Sequence, residues 1–395
     1  MPGLAQHALT TPHSGIRRMA DLAAQAESPI VLVGGDPNFT TPRHIIDSAA
    51  EAARGGATGY TAAAGIAPLR EAIAEKVRNR NGIKAGPENV CVTTGGCGGL
   101  FTSMLILLEP GDEVLVPDPG WSNYPAIVHT LSSTPVPYPL DARAGFALDP
   151  DAIEPLVSAR TRAMIINSPS NPTGAVESAD RLAAALEIAR RHDLWLISDE
   201  CYDELVFDGG HVSTATLGDS DRVITIFTFS KSYAMTGWRI GYAVGLAAVI
   251  EQLAMHQEPV VTSASTISQH GAWAALRGPQ DCVEEMRNAY MDRRHIAAAE
   301  LERLAVAYVR PRGGFFVMAD ISETGLDSWT FARRLLAEEN VAVVPGAAFG
   351  ARGEGYVRIS LAAAPENVET GTRLLAQFVD RLRVRPGAAQ AAAPS

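Results

Sequence analysis

The chain has 395 residues, of which 47% are hydrophobic and 19% are charged, and its formal net charge is −11. A chain of this length exceeds what one hydrophobic core usually holds, so we expect two domains. The acidic balance disfavours nucleic acid and anionic membranes as partners, although a local anion site remains compatible with it.

The four cysteines, at positions 91, 97, 201 and 282, are scattered along the chain. None forms a CxxC pair, and no His/Cys cluster has zinc-ligand spacing, so we expect no metal site. Scattered thiols suggest a reducing compartment. No apolar run approaches the ~20 residues of a membrane span, and the N-terminus lacks the apolar core of a signal peptide. We therefore expect a cytoplasmic protein.

Apolar runs that favour strands alternate with helical patterns from residue 90 onward, which indicates βαβ units and a parallel sheet. Strands are predicted at 90–94, 113–117, 163–167, 194–198 and 223–229, and helices at 95–108 and 178–191. The polar residues of interest follow the ends of these strands, where open α/β sheets bind ligands.

The sequence changes in character near residue 283. A long charged helical stretch at 284–304 precedes shorter strand candidates at 314–318, 342–344 and 356–360. We predict a large domain at 43–283, with a mostly parallel sheet between helices. A smaller α+β domain is predicted from 1–42 and 284–385. The tail at 386–395 is low in complexity, and we predict that it is disordered.

Lys231 lies in the segment 228–239, directly after an apolar strand candidate and eight residues before Arg239. Burial at the end of a strand disfavours the charged amine and lowers its pKa. A neutral amine can form a Schiff base with a carbonyl, and a nearby arginine can hold a phosphate. An aldehyde and a phosphate on one small molecule describe pyridoxal phosphate (PLP).

Asp199 and Asn171 follow two other strand candidates. The Asp199 carboxylate could pair with a protonated pyridine nitrogen, although an aspartate at this point is also a common helix cap. Tyr202 could reach the phenolic oxygen of the same ring or could be a core tyrosine. Asn171, in an Asn-Pro turn, places an amide near that oxygen or serves the turn alone.

Gly95, Gly96 and Cys97 join a strand to a helix, where backbone N–H groups can point at a phosphate. This signal is weak by itself, because the spacing fits neither GxGxxG nor GxxxxGK[ST]. Trp121 follows a strand end and could stack on a pyridine ring or pack within its loop.

Arg358 interrupts an apolar strand candidate of the small domain. Its guanidinium can hold a carboxylate through two hydrogen bonds, unless it faces outward on an amphipathic strand. Gly35 lies in a turn that could let the backbone approach the same carboxylate.

Together these segments resemble the class I/II aminotransferases of the fold-type I PLP enzymes, and most closely their bacterial aspartate-type subgroup. The resemblance runs from about residue 33 to residue 361. It rests on the segments 171–174, 198–202, 230–242 and 356–360.

The resemblance implies the α/β fold of the fold-type I PLP enzymes, in which the large domain has a mostly parallel seven-stranded sheet between helices and the smaller domain is α+β. It also implies an enzyme that moves an amino group from an L-amino acid to a 2-oxo acid by a ping-pong mechanism. The implied catalytic residues are Lys231, Asp199 and Tyr202, and Lys231 is the Schiff-base lysine. The implied cofactor-binding residues are Lys231, Gly95, Gly96, Cys97, Trp121, Asn171, Asp199, Tyr202, Thr228, Arg239 and Tyr60. Gly35, Trp121, Asn171 and Arg358 are implied to bind substrate. Tyr60 is implied to reach the phosphate in a neighbouring subunit, which predicts a homodimer.

Two positions depart from the pattern of the family. Thr228 stands where many members have serine, so the hydroxyl is kept. Cys97 stands where aspartate-using members often have lysine, which weakens the case for aspartate and leaves other amino donors open. Arg17, or a residue near 263–265, is a candidate replacement for the lost cation.

Three other functions compete with amino transfer. A PLP-dependent β-lyase or related elimination enzyme would share the fold but release ammonia or thiol without a keto-acid acceptor. A PLP-fold binding or regulatory protein would need a DNA-binding domain, and about 40 residues before the matching region are too few for one. A nicotinamide-dependent oxidoreductase is disfavoured by the absence of GxGxxG.

Overall fold

The computed structural model describes residues 3–218 and 220–383, which contain thirteen strands and fourteen α-helices. The strands are β1 (Ile30–Val31), β2 (Val90–Thr93), β3 (Glu113–Asp118), β4 (Thr134–Pro139), β5 (Thr161–Asn167), β6 (Trp195–Asp199), β7 (Val223–Thr228), β8 (Gly241–Val244), β9 (Tyr308–Val309), β10 (Phe316–Asp320), β11 (Val341–Ala342), β12 (Val344–Pro345) and β13 (Tyr356–Ser360). The helices are α1 (Gln6–Thr10), α2 (Gly15–Ala23), α3 (Arg43–Arg54), α4 (Ala67–Arg80), α5 (Gly95–Leu107), α6 (Asn123–Thr130), α7 (Pro150–Ile153), α8 (Ala179–Arg191), α9 (Phe229–Ser232), α10 (Ala247–Val261), α11 (Thr266–Arg277), α12 (Asp281–Arg303), α13 (Ser328–Glu339) and α14 (Pro365–Leu382).

The predicted large sheet is confirmed as seven strands in the order β2-β8-β7-β6-β5-β3-β4. Only β8 runs antiparallel to its neighbours, β2 and β7. Strands β3, β5 and β6 are almost wholly buried, as expected of a parallel sheet covered on both faces.

Two strands of this sheet were not predicted from the sequence. Strand β4 contains three prolines, which cannot donate to a ladder, and it is tolerated because it lies at the edge and pairs only with β3. Strand β8 has only four residues and lies immediately after the lysine segment, so its apolar run gives no separate signal.

The N-terminal segment packs on the C-terminal third of the chain. Strand β1 pairs in parallel with β11, and β10, β12 and β13 form a second sheet with β9. Met19 and Leu32 share one buried cluster with Phe315, Phe331 and Leu375. The predicted strand at 342–344 is therefore two short strands that belong to different sheets.

The predicted domain boundaries remain a prediction. Helix α12 begins at Asp281 and runs without a break through the predicted boundary at 283/284. The predicted disordered tail at 386–395 lies outside the described residues. Along 3–218 and 220–383, no helix is both long and apolar enough to cross a membrane.

Candidate active site

A cavity of about 230 Å³ opens at the carboxyl ends of β5, β6 and β7, where the second sheet meets the first. Predicted site residues that line it are Gly35, Gly96, Cys97, Trp121, Asn171, Asp199, Tyr202, Thr228, Lys231, Arg239 and Arg358. The carboxyl ends of adjacent parallel strands meet at one edge, which is why residues so distant in sequence converge there.

Lys231 lies on the one-turn helix α9, directly after β7. Its Nζ atom donates a hydrogen bond to the backbone oxygen of Gly35 at 2.7 Å. Burial lowers the pKa of Lys231, and the Arg239 cation acts in the same direction, although the Cys201 thiol and Asp36 oppose them. A larger share of neutral amine results, as a nucleophile or general base requires.

Asp199 ends β6 and is 3% exposed. Its Oδ2 accepts a hydrogen bond from the Tyr124 hydroxyl at 2.7 Å, and its Oδ1 accepts one from the backbone N–H of Cys201 at 3.2 Å. Burial raises the pKa of Asp199, and these hydrogen bonds oppose the rise. In the described part of the chain, no lysine or arginine forms an ion pair with this carboxylate. A buried acid without a cation suits a protonated ring nitrogen.

The N-terminus of α5 forms one end of the cavity. Gly95 has φ +71°, and a Cβ added there would lie 2.7 Å from Nη2 of Arg239, so the backbone and the guanidinium meet closely. Thr228 Oγ1 donates to Ser230 Oγ at 2.8 Å on the same side. A helix N-terminus, two hydroxyls and an arginine together form a donor set for a phosphate.

Arg358, on β13, is 1% exposed and lies between the Phe316 and Phe349 rings, with Cζ 4.0 and 4.8 Å from their centroids. Its Nη1 donates to Asn171 Oδ1 at 2.8 Å, and its Nη2 donates to the backbone oxygen of Val33 at 2.5 Å. Burial lowers the pKa of Arg358 to about 9. Its Nε is buried without a partner, so the guanidinium retains donor capacity for a carboxylate.

Two predicted residues lie outside the cavity wall. Gly95 lies directly behind it, against Arg239. Tyr60 is 89% exposed on the surface of this single chain. The candidate replacement cation Arg17 also faces solvent beside Asp21, and its neighbour Ile16 lines the cavity instead. Ser265 caps α11 and does not line the cavity.

The sequence did not single out several residues of the cavity wall: Ile16, Tyr124, Asn167, Cys201, Ser230 and Phe316. Ser230 directly precedes Lys231, so its hydroxyl could have been predicted from the sequence to lie in the site. Tyr124 lies three residues after Trp121, one helical turn along the chain, but nothing local shows that it reaches Asp199. Ile16 belongs to a helix that only tertiary packing brings to the site.

These residues fit PLP by their chemistry. A phosphate donor set lies at the α5 end, a buried carboxylate lacks a cationic partner, and an amine of lowered pKa lies on the cavity wall. A side chain at Gly95 would displace the Arg239 guanidinium, so this turn requires glycine. The cavity therefore accommodates the three reactive features of the cofactor.

Comparison with known proteins agrees with this chemistry. The family described as aminotransferase class I and II matches residues 27–373. The probable aspartate/prephenate aminotransferase of Thermus aquaticus is 39% identical over 366 residues, which cover 91% of this chain and 94% of that protein. The aromatic-amino-acid aminotransferase 2 of Thermococcus litoralis is 40% identical over 361 residues, which cover 90% and 93%.

Comparison with a solved structure supports the same family. The aspartate aminotransferase from Thermus thermophilus with maleate superposes with a TM-score of 0.91 at 38% identity, over 96% of this chain and 100% of that one. The relatives named above are aminotransferases, and none of these comparisons favours the lyase alternative. The chain belongs to the class I and II aminotransferases, as a PLP-dependent enzyme that transfers amino groups.

Proposed function

We propose that the cavity at the carboxyl ends of β5, β6 and β7 is the active site, and that Lys231 is its catalytic amine. The observation that carries this proposal is the convergence of Lys231, Asp199 and Arg358 on one cavity. The reaction moves an amino group from an L-amino acid to a 2-oxo acid in two half-reactions.

PLP, when bound, supplies an electron sink for negative charge at the substrate Cα. Asp199 would hold the ring nitrogen in its protonated form, because a buried carboxylate favours a nearby cation. Tyr202 and Asn171 would donate to the ring oxygen, and Trp121 would stack on the ring. Burial raises the pKa of Tyr202 well above its ordinary value, so its hydroxyl remains a donor.

The phosphate would lie at the N-terminus of α5. The backbone of Gly95, Gly96 and Cys97, the Thr228 hydroxyl and the Arg239 guanidinium are the proposed donors. Helix α5 is thirteen residues long, and its N-cap residue Thr94 makes no side-chain hydrogen bond to the first turn. Its first N–H groups and its dipole therefore favour an anion there.

Arg358 would bind the α-carboxylate of the substrate, with Asn171 and the backbone of Gly35 beside it. Its contacts with Asn171 and Val33 fix the plane of the guanidinium, so little side-chain freedom is lost on binding. Lys231 would bond the cofactor aldehyde and, once released by the amino acid, would move a proton from the substrate Cα.

The test of the Lys231 assignment is the variant Lys231→Ala. We expect it to lose the visible absorption of the bound cofactor and nearly all amino transfer, because no other amine of the described chain lines the cavity. Lys84→Ala, which removes an exposed lysine of a different surface cavity, is the matched control and should keep both. Normal turnover by Lys231→Ala would show that the assignment is wrong.

We further propose that the preferred amino donor has an uncharged side chain. The cations of the described chain that line the cavity are Lys231, Arg239 and Arg358, and each has a proposed partner in the cofactor or the α-carboxylate. Cys97 provides a neutral thiol whose pKa is raised by burial. The two relatives compared above have different named donors at nearly equal identity, so overall identity does not select one.

A panel of amino acids tests this proposal. We expect kcat/KM for phenylalanine or leucine to exceed that for aspartate by about tenfold or more, because a second carboxylate would be buried without a cation. Cys97→Lys should raise kcat/KM for aspartate, whereas Cys97→Ser, which adds no charge, should not. A wild-type preference for aspartate would contradict the proposal.

We propose that the enzyme is a homodimer with shared active sites. Tyr60 lies in a segment held to α11 by hydrogen bonds from Thr266 to the Gly59 oxygen and from Gln269 to Thr61. Exposed apolar side chains on α10 and α11 supply surface for a partner: Met255, Val260, Val261, Ile267 and Trp273. Such a patch is typical of an interaction site.

Complementation tests the shared site. Lys231→Ala and Tyr60→Ala chains, each poorly active alone, should regain activity when they are unfolded and refolded together. A mixed dimer then has one site with an intact Lys231 and an intact Tyr60. Sedimentation should report a dimer, and a monomer with full activity would refute the proposal.

The four free cysteines support a reducing, cytoplasmic location, which cell fractionation would test.

A further inference from the structure

Tyr124 is a buried tyrosine that connects two residues of the proposed cofactor site. It lies near the start of α6, is 1% exposed and lines the cavity. Its hydroxyl donates to Asp199 Oδ2 at 2.7 Å. Its ring meets the Trp121 ring edge to face, with centroids 5.5 Å apart and an interplanar angle of 88°.

The Asp199 carboxylate is held from both sides. Tyr124 donates to Oδ2, while the backbone N–H of Cys201 donates to Oδ1. The Cys201 side chain also lowers the pKa of this carboxyl. Asn167 Nδ2 donates to the backbone oxygen of Asp199 at 3.0 Å and so fixes the end of the strand. Tyr124 is the contact from outside the 199–201 turn that restrains the carboxylate directly.

We propose that Tyr124 is a positioning residue, whose hydroxyl holds the Asp199 carboxylate in the orientation and ionised state that the cofactor ring nitrogen requires. This inference rests on the proposed role of Asp199 toward PLP. The Trp121 contact gives Tyr124 a second part, because its ring supports the indole proposed to stack on the cofactor.

The charges around Asp199 show why a donor is needed. Burial raises the pKa of this carboxyl, and the neighbouring Glu200 raises it further. The other titratable groups that face it are Cys97 from α5, Tyr202 from the following turn, Cys201 and Tyr124 itself. Hydrogen bonds to the charged form, from Cys201 and Tyr124, oppose the rise. Burial also raises the pKa of Tyr124 well above its ordinary value, so its hydroxyl remains a donor.

Removal of the hydroxyl has a definite consequence. In Tyr124→Phe, Asp199 Oδ2 loses its donor in a buried site, so the carboxyl is neutral over a wider range of pH. A neutral acid pairs weakly with a protonated ring nitrogen. We expect PLP affinity at neutral pH to fall about tenfold, as for the loss of one hydrogen bond to a charged group. The pH below which affinity declines should move upward.

The experiment titrates PLP into the cofactor-stripped, full-length protein and follows tryptophan fluorescence from acidic to alkaline pH. Tyr138→Phe is the matched control, because Tyr138 is equally buried and its hydroxyl donates at 2.8 Å to a backbone oxygen, that of Ile165. Both variants should lower Tm, but only Tyr124→Phe should shift the pH profile of the dissociation constant. An unshifted profile in Tyr124→Phe, or an equal shift in Tyr138→Phe, would overturn the proposal.

Two further variants separate the possible failures. Asp199→Asn should weaken PLP binding at every pH and remove the acid limb of the profile. If it binds PLP normally, the proposed role of Asp199 fails. If it binds weakly while Tyr124→Phe binds normally, only the role of Tyr124 fails. Should Tyr124→Phe not fold, Tyr124→Met removes the same hydroxyl with a flexible apolar side chain and must shift the profile in the same direction; an unshifted profile would then overturn the proposal.

Discussion

Gly95 gives the sharpest test of the proposed phosphate site, because a single methyl group has two separable effects there. Gly95 has φ +71°, in the left-handed region. In Gly95→Ala this backbone costs roughly 1–2 kcal/mol of stability, because Cβ approaches the carbonyl oxygen. We expect the free energy of unfolding in urea to fall by about that amount.

The second effect concerns Arg239. The new Cβ would lie 2.7 Å from Nη2, and ordinary contact begins at 3.4 Å, so the guanidinium must retreat by about 0.7 Å. A displaced arginine loses much of one charge-assisted hydrogen bond to the phosphate, worth about 1.5–3 kcal/mol. The dissociation constant for PLP should therefore rise by about 10- to 100-fold.

Gly98→Ala is the matched control on the same helix. Gly98 is not in the left-handed region, and its added Cβ would meet Thr94 Cβ at 3.3 Å. It should leave PLP affinity unchanged and alter stability by less than about 1 kcal/mol. In an Arg239→Ala background, Gly95→Ala should weaken PLP binding no further. An equal loss of affinity with and without Arg239 would refute the displacement reasoning.

Three other predictions concern the carboxylate site, pH and helix stability. Arg358→Lys keeps the charge but loses the planar guanidinium that can form two hydrogen bonds to a carboxylate, so we expect kcat/KM to fall about 100-fold, mainly through KM. A loss below about threefold in steady-state kinetics would contradict the proposed binding of the substrate carboxylate by Arg358. The Nε2–H of His211 donates to Oε2 of buried Glu200 at 2.8 Å. Burial alone lowers the pKa of His211, but Glu200 raises it above the ordinary value. The pair therefore contributes its full stabilisation below about pH 6.5, and that stabilisation is lost as pH rises through the folded-state pKa of His211. The urea midpoint of wild type should fall over this pH range, whereas that of His211→Gln should not. Asp327 caps α13, so Asp327→Ala should lower the free energy of unfolding by about 1 kcal/mol in urea with unchanged turnover.

The lysine segment illustrates what local sequence shows well. An apolar run, then Lys231 and Arg239, predicts an amine and a phosphate ligand at the end of a buried strand, and the structure places both on one cavity. Asp199 is predictable for the same reason, since it ends a strand of the parallel sheet. Thr228, which ends another strand, was implied only by the family resemblance. Their functional assignments remain proposals with the tests given above.

Contacts between distant segments were less accessible. Tyr124 is 75 positions from Asp199, and no local pattern in its segment points to that carboxylate. Arg17 was a candidate cation, yet Ile16 lines the cavity, because the packing of α2 decides which side of the helix faces inward. Strand β4 was missed because proline is tolerated only at a sheet edge, and edge position is a tertiary property.

The sequence by itself therefore determined the class of fold and the residue types at the strand ends, because apolar periodicity and strand-end polarity are local signals. It indicated the cofactor through the resemblance of its motifs to those of a known family. Tertiary structure alone decided how those residues are oriented. Arg358 is 187 positions from Asn171 and 325 from Val33, yet both hold its guanidinium. Hydrogen bonds over such separations depend on how the two sheets pack, and no local pattern encodes that arrangement.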